Sequence, residues 1–336
     1  MRNEQAFDGI EMKVEITNFC LGGRCKFCSP LFRPTVEEAG SESFLRDLDQ
    51  HLETYLTGGG KHIILTGGGE PIDAPAKLFG ALRLIKDKQH QLGVELELLT
   101  IYSNGVGLLK QISSETSETY LDRLASLGVQ DINLSLHGLT QEERTAVSGE
   151  AMGSVDFGRL IPQIVQKGIR VMTRTALTRG SIDSVEKAET FVRWMVRLGV
   201  GIVYFSDLFT VPIRNERTTP GSQTVLRWTD EHRVNFDALV AELKLNRAFE
   251  FMAESSRHNH QGRTMEFRHR ESGLKVLFGD LVIGNESDER PTYGYVKPDG
   301  SMAGHNNARD ATARKFLPSS GLKVYLQKYR PGRDDL

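Results

Sequence analysis

The sequence has little cysteine, little tryptophan, almost no net charge and no long apolar run. Its 336 residues include three cysteines and two tryptophans, and 42 basic against 44 acidic side chains leave a net charge of −2. Nowhere do apolar residues extend for the ~18 positions that a membrane-spanning helix needs. Residues 1–9 are polar and lack the apolar centre of a secretory signal. Near-neutral charge gives no general attraction to nucleic acid or to an anionic membrane. These absences lead to the expectation of a soluble, cytoplasmic protein with no nucleic-acid and no membrane partner. The cysteines are odd in number and all fall between positions 20 and 28, which excludes a disulfide framework and leaves a metal or redox site.

What is present is an ordinary globular composition and a length sufficient for an α/β barrel with a modest extra domain. Short β-type runs at 14–17, 62–66, 97–102, 131–136, 170–177 and 201–206 alternate with helix-compatible stretches at 43–55, 76–89, 118–127, 158–166 and 184–198. Ser184 has the character of an N-cap. Strand followed by helix, repeated, predicts parallel βα units. Polar or glycine residues follow nearly every strand, at the end where a barrel forms its active site. After position 214 the texture changes. Residues 215–223 read as a linker and 229–245 as a helix, while 274–278 and 281–283 flank a Gly279-Asp280 turn as a hairpin. A turn and strand are expected over 293–300 and a short amphipathic helix over 321–329. The expected architecture is α/β, a partial (β/α)6 TIM-type barrel over residues 10–214. A C-terminal α+β domain, residues 215–336 and free of cysteine, would cover its mouth.

Two motifs carry chemistry. Cys20, Cys25 and Cys28 follow the first strand with the spacing C-x-x-x-x-C-x-x-C. Thiolates are the usual ligands of iron–sulfur clusters, and three of them leave one iron free for a small molecule. A zinc knuckle, which would need a fourth ligand such as a histidine, and a redox pair are the rival readings. Gly67-Gly68-Gly69-Glu70-Pro71 follows the second strand. Its glycines permit close approach of backbone to a ligand, and Glu70 can accept a hydrogen bond from an ammonium.

With both motifs in place, the sequence resembles the radical S-adenosylmethionine (radical SAM) superfamily. Its members place three cysteines after the first barrel strand and a Gly-Gly-Glu-type motif after the second. The family's usual spacing is C-x-x-x-C-x-x-C, and here the first gap is one residue longer. The resemblance covers about residues 12–210. Within the superfamily, residues 131–138 with Glu142, Glu143, Arg144, Ser148 and Gly149, and also residues 175–183, resemble the branch that contains the molybdenum-cofactor GTP cyclase and the peptide-modifying enzymes.

The resemblance implies one 4Fe–4S cluster on the three cysteines, with S-adenosylmethionine as second cofactor. It implies Gly68, Gly69 and Glu70 at the methionine amino group, Ser103 and Asn104 by the ribose, and Phe27 and Leu177 near the adenine. Ser135 and Arg174 would meet the carboxylate; the bland alternative for them is a barrel-interior hydroxyl and a structural ion pair. The implied reaction is one-electron cleavage of the donor to a 5′-deoxyadenosyl radical, which takes hydrogen from an unreactive C–H bond. That chemistry needs an external one-electron reductant such as flavodoxin or ferredoxin.

The substrate is the least legible part. A small molecule in natural-product or cofactor biosynthesis is expected, because no leader-binding segment is seen before the barrel; a ribosomally made peptide is the alternative. A non-catalytic iron–sulfur or zinc scaffold is the reading from another class. Arg257, Arg263, Arg268 and Arg270, with His258, His260 and His269 among them, form a basic stretch with Glu266 as its one acid. It reads as a site for an anionic substrate group or as a solvated surface. His137 is either an acid–base group in the lumen or a satisfied core histidine.

Overall fold

The structure, a computed structural model, describes residues 11–22, 25–28, 38–208, 220–256, 263–280, 293–299 and 302–303. Its first six strands are β1 (Glu11–Glu15), β2 (His62–Thr66), β3 (Leu98–Ser103), β4 (Asp131–Ser135), β5 (Arg170–Ala176) and β6 (Ile202–Ser206). Between them run α1 (Ser41–Thr57), α2 (Pro75–Leu92), α3 (Tyr120–Ser126), α4 (Gln141–Ser148), α5 (Glu150–Gly153), α6 (Phe157–Gln166) and α7 (Val185–Leu198). Then come α8 (Pro220–His232), α9 (Phe236–Leu245), β7 (Phe249–Ser256), β8 (Arg263–His269), β9 (Lys275–Gly279), β10 (Tyr293–Val296) and β11 (Met302–Ala303).

The six parallel strands pair in chain order, as the βα alternation predicts. They belong to one open sheet of order β11-β10-β1-β2-β3-β4-β5-β6-β9-β8-β7. The sheet therefore does not stop where the barrel half of the sequence stops. From the C-terminal region, β9 adds in parallel to β6, and β10 adds in parallel to β1. A boundary at 214 is no break in hydrogen bonding.

Strand periodicity sets the two faces. Met12, Val14, Ile63, Leu65, Leu99, Ile101, Ile132, Leu134, Val171, Val203, Phe205, Val276 and Phe278 are buried against the helices. The alternate positions, among them Glu15, Thr66, Tyr102, Ser135, Arg174, Tyr204 and Ser206, form the opposite, lumen face. Helix α1 meets this core with Phe44, Leu48, Leu52 and Tyr55, spaced to fall on one side. Each such side chain stabilises the fold by about 1.5–3 kcal/mol, and Leu48→Ala would cost about 2–5 kcal/mol. Ser184 does cap α7, its hydroxyl accepting the Lys187 N–H at 3.3 Å. Gly199, with φ +83°, ends that helix.

Four expectations need correction or supplement. The partner of β9 is the upstream β8, joined through residues 270–274 with Gly273 at φ +72°, so Gly279-Asp280 is not that hairpin's turn. Residues 281–283 and 321–329 lie outside the described residues. The single helix over 229–245 is two helices, because Arg233 turns away to Asp207 and Asn235 caps α9 through the Ala238 N–H at 3.1 Å. The stretch 215–223 is helical from Pro220, a residue suited to a first helical position. Among the described residues no helix is long and apolar enough to cross a membrane.

Candidate functional site

The strands point their C-terminal ends one way, and the two sequence motifs meet there. The backbone runs from β1 straight into the cysteine loop, where the Gly69 N–H donates to the Thr17 carbonyl at 2.9 Å and the Glu70 N–H to the Phe19 carbonyl at 2.8 Å. The glycine turn after β2 is thus a bed for the cysteine loop. A Cβ on Gly69 would overlap the Phe19 backbone, and one on Gly67 would stand 2.7 Å from the Thr17 carbonyl oxygen. At Gly68 the nearest atom is only the Asn18 side-chain oxygen. Absence of side chains here serves chain-to-chain contact, beyond the approach to a ligand that the sequence suggests.

Carboxylates complete the support. Glu38 accepts the Thr17 hydroxyl at 2.7 Å and the Asn18 N–H at 2.6 Å. Asp73 accepts the Leu21 N–H at 2.6 Å. Glu70, buried, accepts the Ser103 hydroxyl at 2.9 Å, the Asn104 N–H at 2.6 Å and the Ile72 N–H at 3.3 Å. Burial raises the Glu70 carboxyl to about 7 against the downward pull of those three donors. Its carboxylate therefore staples the turn after β2 to the end of β3. The Asn104 amide reaches the Cys20 sulfur at 3.7 Å, which places the end of β3 beside the cysteines.

Cys25 donates toward the Met152 sulfur at 3.7 Å, and its thiol is pushed up to about 12 by burial first and then by the neighbouring Cys28. Cys20 adds to the same effect. Thiols in such a setting ionise only when a positive centre shares their charge, which is what a bound metal group supplies. Among the described residues no three His, Cys, Asp or Glu side chains converge as ligands of a single ion. A cubane, which takes each thiolate at a different iron, spaces its ligands more widely than one zinc does.

The ends of β4, β5 and β6 bring in the remaining groups. Ser135 and Arg174 are register partners on adjacent strands. The Arg174 guanidinium lies over the Tyr204 ring, 4.7 Å from its centre. Protein surrounds it, yet it stays partly open to the lumen, and among the described residues it makes no ion pair with a carboxylate. Burial works against its charge, but Tyr102 and Tyr204 outweigh that and hold it above its ordinary value. His137 accepts the Ala176 N–H at Nδ1, 3.0 Å away, which fixes a neutral ring and stitches β4 to β5. Burial first, then the Arg174 charge, depress it to about 4.

Phe27 stands edge-on to His137 at 4.9 Å and faces Trp228 of α8 at 6.2 Å. Leu177 is fully buried, its N–H donating to the Ser206 carbonyl at 2.8 Å. Helix α8 is pinned across this end by the Arg179 N–H to the His232 carbonyl, at 2.8 Å, and by the Arg233–Asp207 pair at 2.5 Å. Trp228 and Glu38 were not singled out from the sequence. Trp228 lies far from both motifs in the chain, Glu38 follows Cys28 by ten residues, and nothing local marks either.

Among the described residues, the arginines of the basic stretch do not form one patch. Arg263 begins β8 and pairs with Asp237 at 2.5 Å and Asp280 at 3.7 Å. Arg268 and Arg270 stand at the other end of that strand, the first exposed and the second 4.0 Å from Glu250. An extended strand separates what the sequence lists side by side. His269 is buried against Phe249 and Ser272, and Arg257, His258 and His260 lie outside the described residues.

Residues 14–153 match a family described as the radical SAM superfamily. No curated protein sequence matches the chain. Among solved structures, SuiB of Streptococcus suis bound to precursor peptide SuiA aligns with a TM-score of 0.53 at 14% identity, over 96% of this chain and 64% of that one. SuiB bound to S-adenosylmethionine gives 0.53 at 13% identity, over 96% and 65%. Native anSMEcpe with bound AdoMet gives 0.51 at 12% identity, over 96% and 84%. The chain spans less than two thirds of SuiB, and at these identities the likeness is one of fold. The family match takes in the cysteine loop together with the turn on which it rests, so residues 14–153 are similar to the radical SAM superfamily, whose cofactors are a 4Fe–4S cluster and S-adenosylmethionine.

Proposed function

We propose that the chain is a radical SAM enzyme that removes a hydrogen atom from an unreactive C–H bond of a small molecule, in natural-product or cofactor biosynthesis. Cys20, Cys25 and Cys28 would hold one 4Fe–4S cluster. When bound, cluster and donor supply one-electron cleavage of S-adenosylmethionine, fed by an external reductant such as flavodoxin or ferredoxin. The observation that carries this reading is the cysteine loop lying hydrogen-bonded on the Gly67–Gly69 turn, with the Arg174 cation in the same mouth.

The chain's own groups then have definite tasks. Gly68 and Gly69 would offer backbone to the donor's amino group, with Glu70 holding that turn in place. Arg174 and Ser135 would take its carboxylate, an anion suited to a cation without a carboxylate partner. Ser103 and Asn104 would line the ribose, and Phe27 and Leu177 the adenine. His137, neutral and turned to the Ala176 N–H, would orient the ends of β4 and β5 rather than transfer a proton. A peptide substrate is the second reading, favoured by likeness of fold to SuiB, whose structure holds its precursor peptide.

Anaerobic reconstitution tests the proposal. Expected are about four irons per chain, a brown protein, and 5′-deoxyadenosine formed from S-adenosylmethionine with a chemical reductant. A colourless, zinc-binding protein overturns it.

A further inference from the structure

Among its described residues the cysteine loop has no helix or strand of its own, so something else must fix its path. Its first residues hang on one oxygen. Glu38 Oε1 accepts both the Thr17 hydroxyl, at 2.7 Å, and the Asn18 N–H, at 2.6 Å. The Thr17 hydroxyl oxygen in turn accepts the Phe19 N–H at 3.0 Å, one residue before Cys20. The other oxygen, Oε2, takes the Lys77 ammonium at 3.0 Å. Lys77 is buried on α2, and its ammonium also reaches the Pro298 carbonyl at 3.3 Å. The same carbonyl accepts the Ala39 N–H at 3.2 Å. A continuous path of hydrogen bonds therefore runs from the segment after β10 to Phe19, the residue before the first cysteine.

We infer that Glu38 is a positioning residue for the iron–sulfur ligands, and that Lys77 balances its charge at the second oxygen. The inference rests on the cluster reading proposed above. Partners that orient ligand-bearing groups govern metal retention nearly as strongly as the ligands do. The essential element is the acceptor at Oε1; the charge on Glu38 is required only because Lys77 brings a buried ammonium against Oε2. Glutamine supplies the same acceptor, but its amide would point N–H groups at Lys77. Replacing Lys77 by methionine removes that conflict at similar length.

The test uses the full chain, reconstituted anaerobically and desalted, with iron assay and electron paramagnetic resonance of the reduced protein with and without S-adenosylmethionine. Thermal unfolding of the apo-protein runs in parallel. Glu38→Ala should lower iron retention about tenfold and alter the resonance, the range for a lost partner of a ligand-bearing group. The double variant Glu38→Gln with Lys77→Met should restore both, whereas Glu38→Ala with Lys77→Met should not. Retention and spectra like wild type in Glu38→Ala overturn the inference. So does a fall in apo-protein stability with unchanged iron per folded chain, and so does failure of the glutamine double variant while it folds normally. Wild type that takes up no iron overturns the cluster reading itself, a result distinct from these.

Discussion

The two halves of the barrel mouth differ in how far their polar groups are satisfied from within. At the ends of β1, β2 and β3, the carboxylates of Glu38, Asp73 and Glu70 all accept backbone N–H groups, and hydroxyls of Thr17 and Ser103 join them. At the ends of β5 and β6, the Thr178 hydroxyl and one oxygen of Asp207 are buried without a hydrogen-bond partner among the described residues. Arg174 there faces aromatic rings in place of an acid. An unmet buried polar group costs about 1–3 kcal/mol, so the second half carries a penalty that water or a ligand relieves. The first half is built to hold a loop whether or not anything is bound. The second half has hydrogen-bonding capacity left over, which is where a ligand gains most.

That contrast can be broken experimentally, and the largest effect belongs to the first half. Alanine in place of Cys20, Cys25 or Cys28 should abolish stable iron binding and all 5′-deoxyadenosine formation. Formation that persists in any of the three variants would remove the cysteines from the chemistry. Next comes Gly69→Ala, whose Cβ has no room against the Phe19 backbone; overpacking of this kind costs about 1–3 kcal/mol and should displace the loop, reducing iron content. Gly68→Ala meets only a side-chain oxygen and should do much less. Equal behaviour of the two variants in thermal unfolding and iron assay would show that the glycine turn does not bear the loop.

In the second half, Arg174→Ala should weaken S-adenosylmethionine binding about ten- to a hundredfold, the loss of about 1.5–3 kcal/mol, while iron content stays unchanged. Calorimetry that finds the same affinity would return Arg174 to a structural role with Tyr102 and Tyr204. Glu70 offers a pH test. The folded chain binds its proton more tightly than the unfolded chain, so its contribution to stability is full below about pH 4.5 and is lost as pH rises through about 7. Glu70→Gln should remove that part of the decline in the apo-protein, on the order of 1–3 kcal/mol across the interval. Denaturation profiles of identical slope for variant and wild type would contradict it. The smallest effect is expected at Trp228. If its ring lines the adenosyl end beside Phe27, Trp228→Ala should weaken 5′-deoxyadenosine and S-adenosylmethionine by the same factor, about two- to tenfold. A change in neither would confine Trp228 to packing α8 against the loop.

The glycine turn shows what was readable and what was not. Gly67-Gly68-Gly69-Glu70 stood out in the text as a companion of the cysteine loop. Its use as the surface on which that loop lies appears only when β1 and β2 are paired. Glu70 likewise was legible as a site residue, while its three donors from Ile72, Ser103 and Asn104 were not. The basic stretch fared worst. Linear proximity suggested one anion site, but strand geometry sends Arg263 and Arg268 to opposite ends of β8, and Arg263 finds acids from α9 and from the end of β9.

By itself the sequence determined the βα alternation, the cap at Ser184, the three-cysteine loop and the glycine turn. Each of these rests on local chemistry: side-chain periodicity, an oxygen that caps its own helix, or ligands a few residues apart. The tertiary structure alone decided that β9 and β10 extend the two edges of the barrel sheet. It also decided that Trp228 reaches Phe27, and that Pro298, Lys77 and Glu38 meet at the start of the cysteine loop. Those contacts join segments up to hundreds of residues apart, so their cause is the pairing of distant strands into one sheet and not the pattern of any one segment.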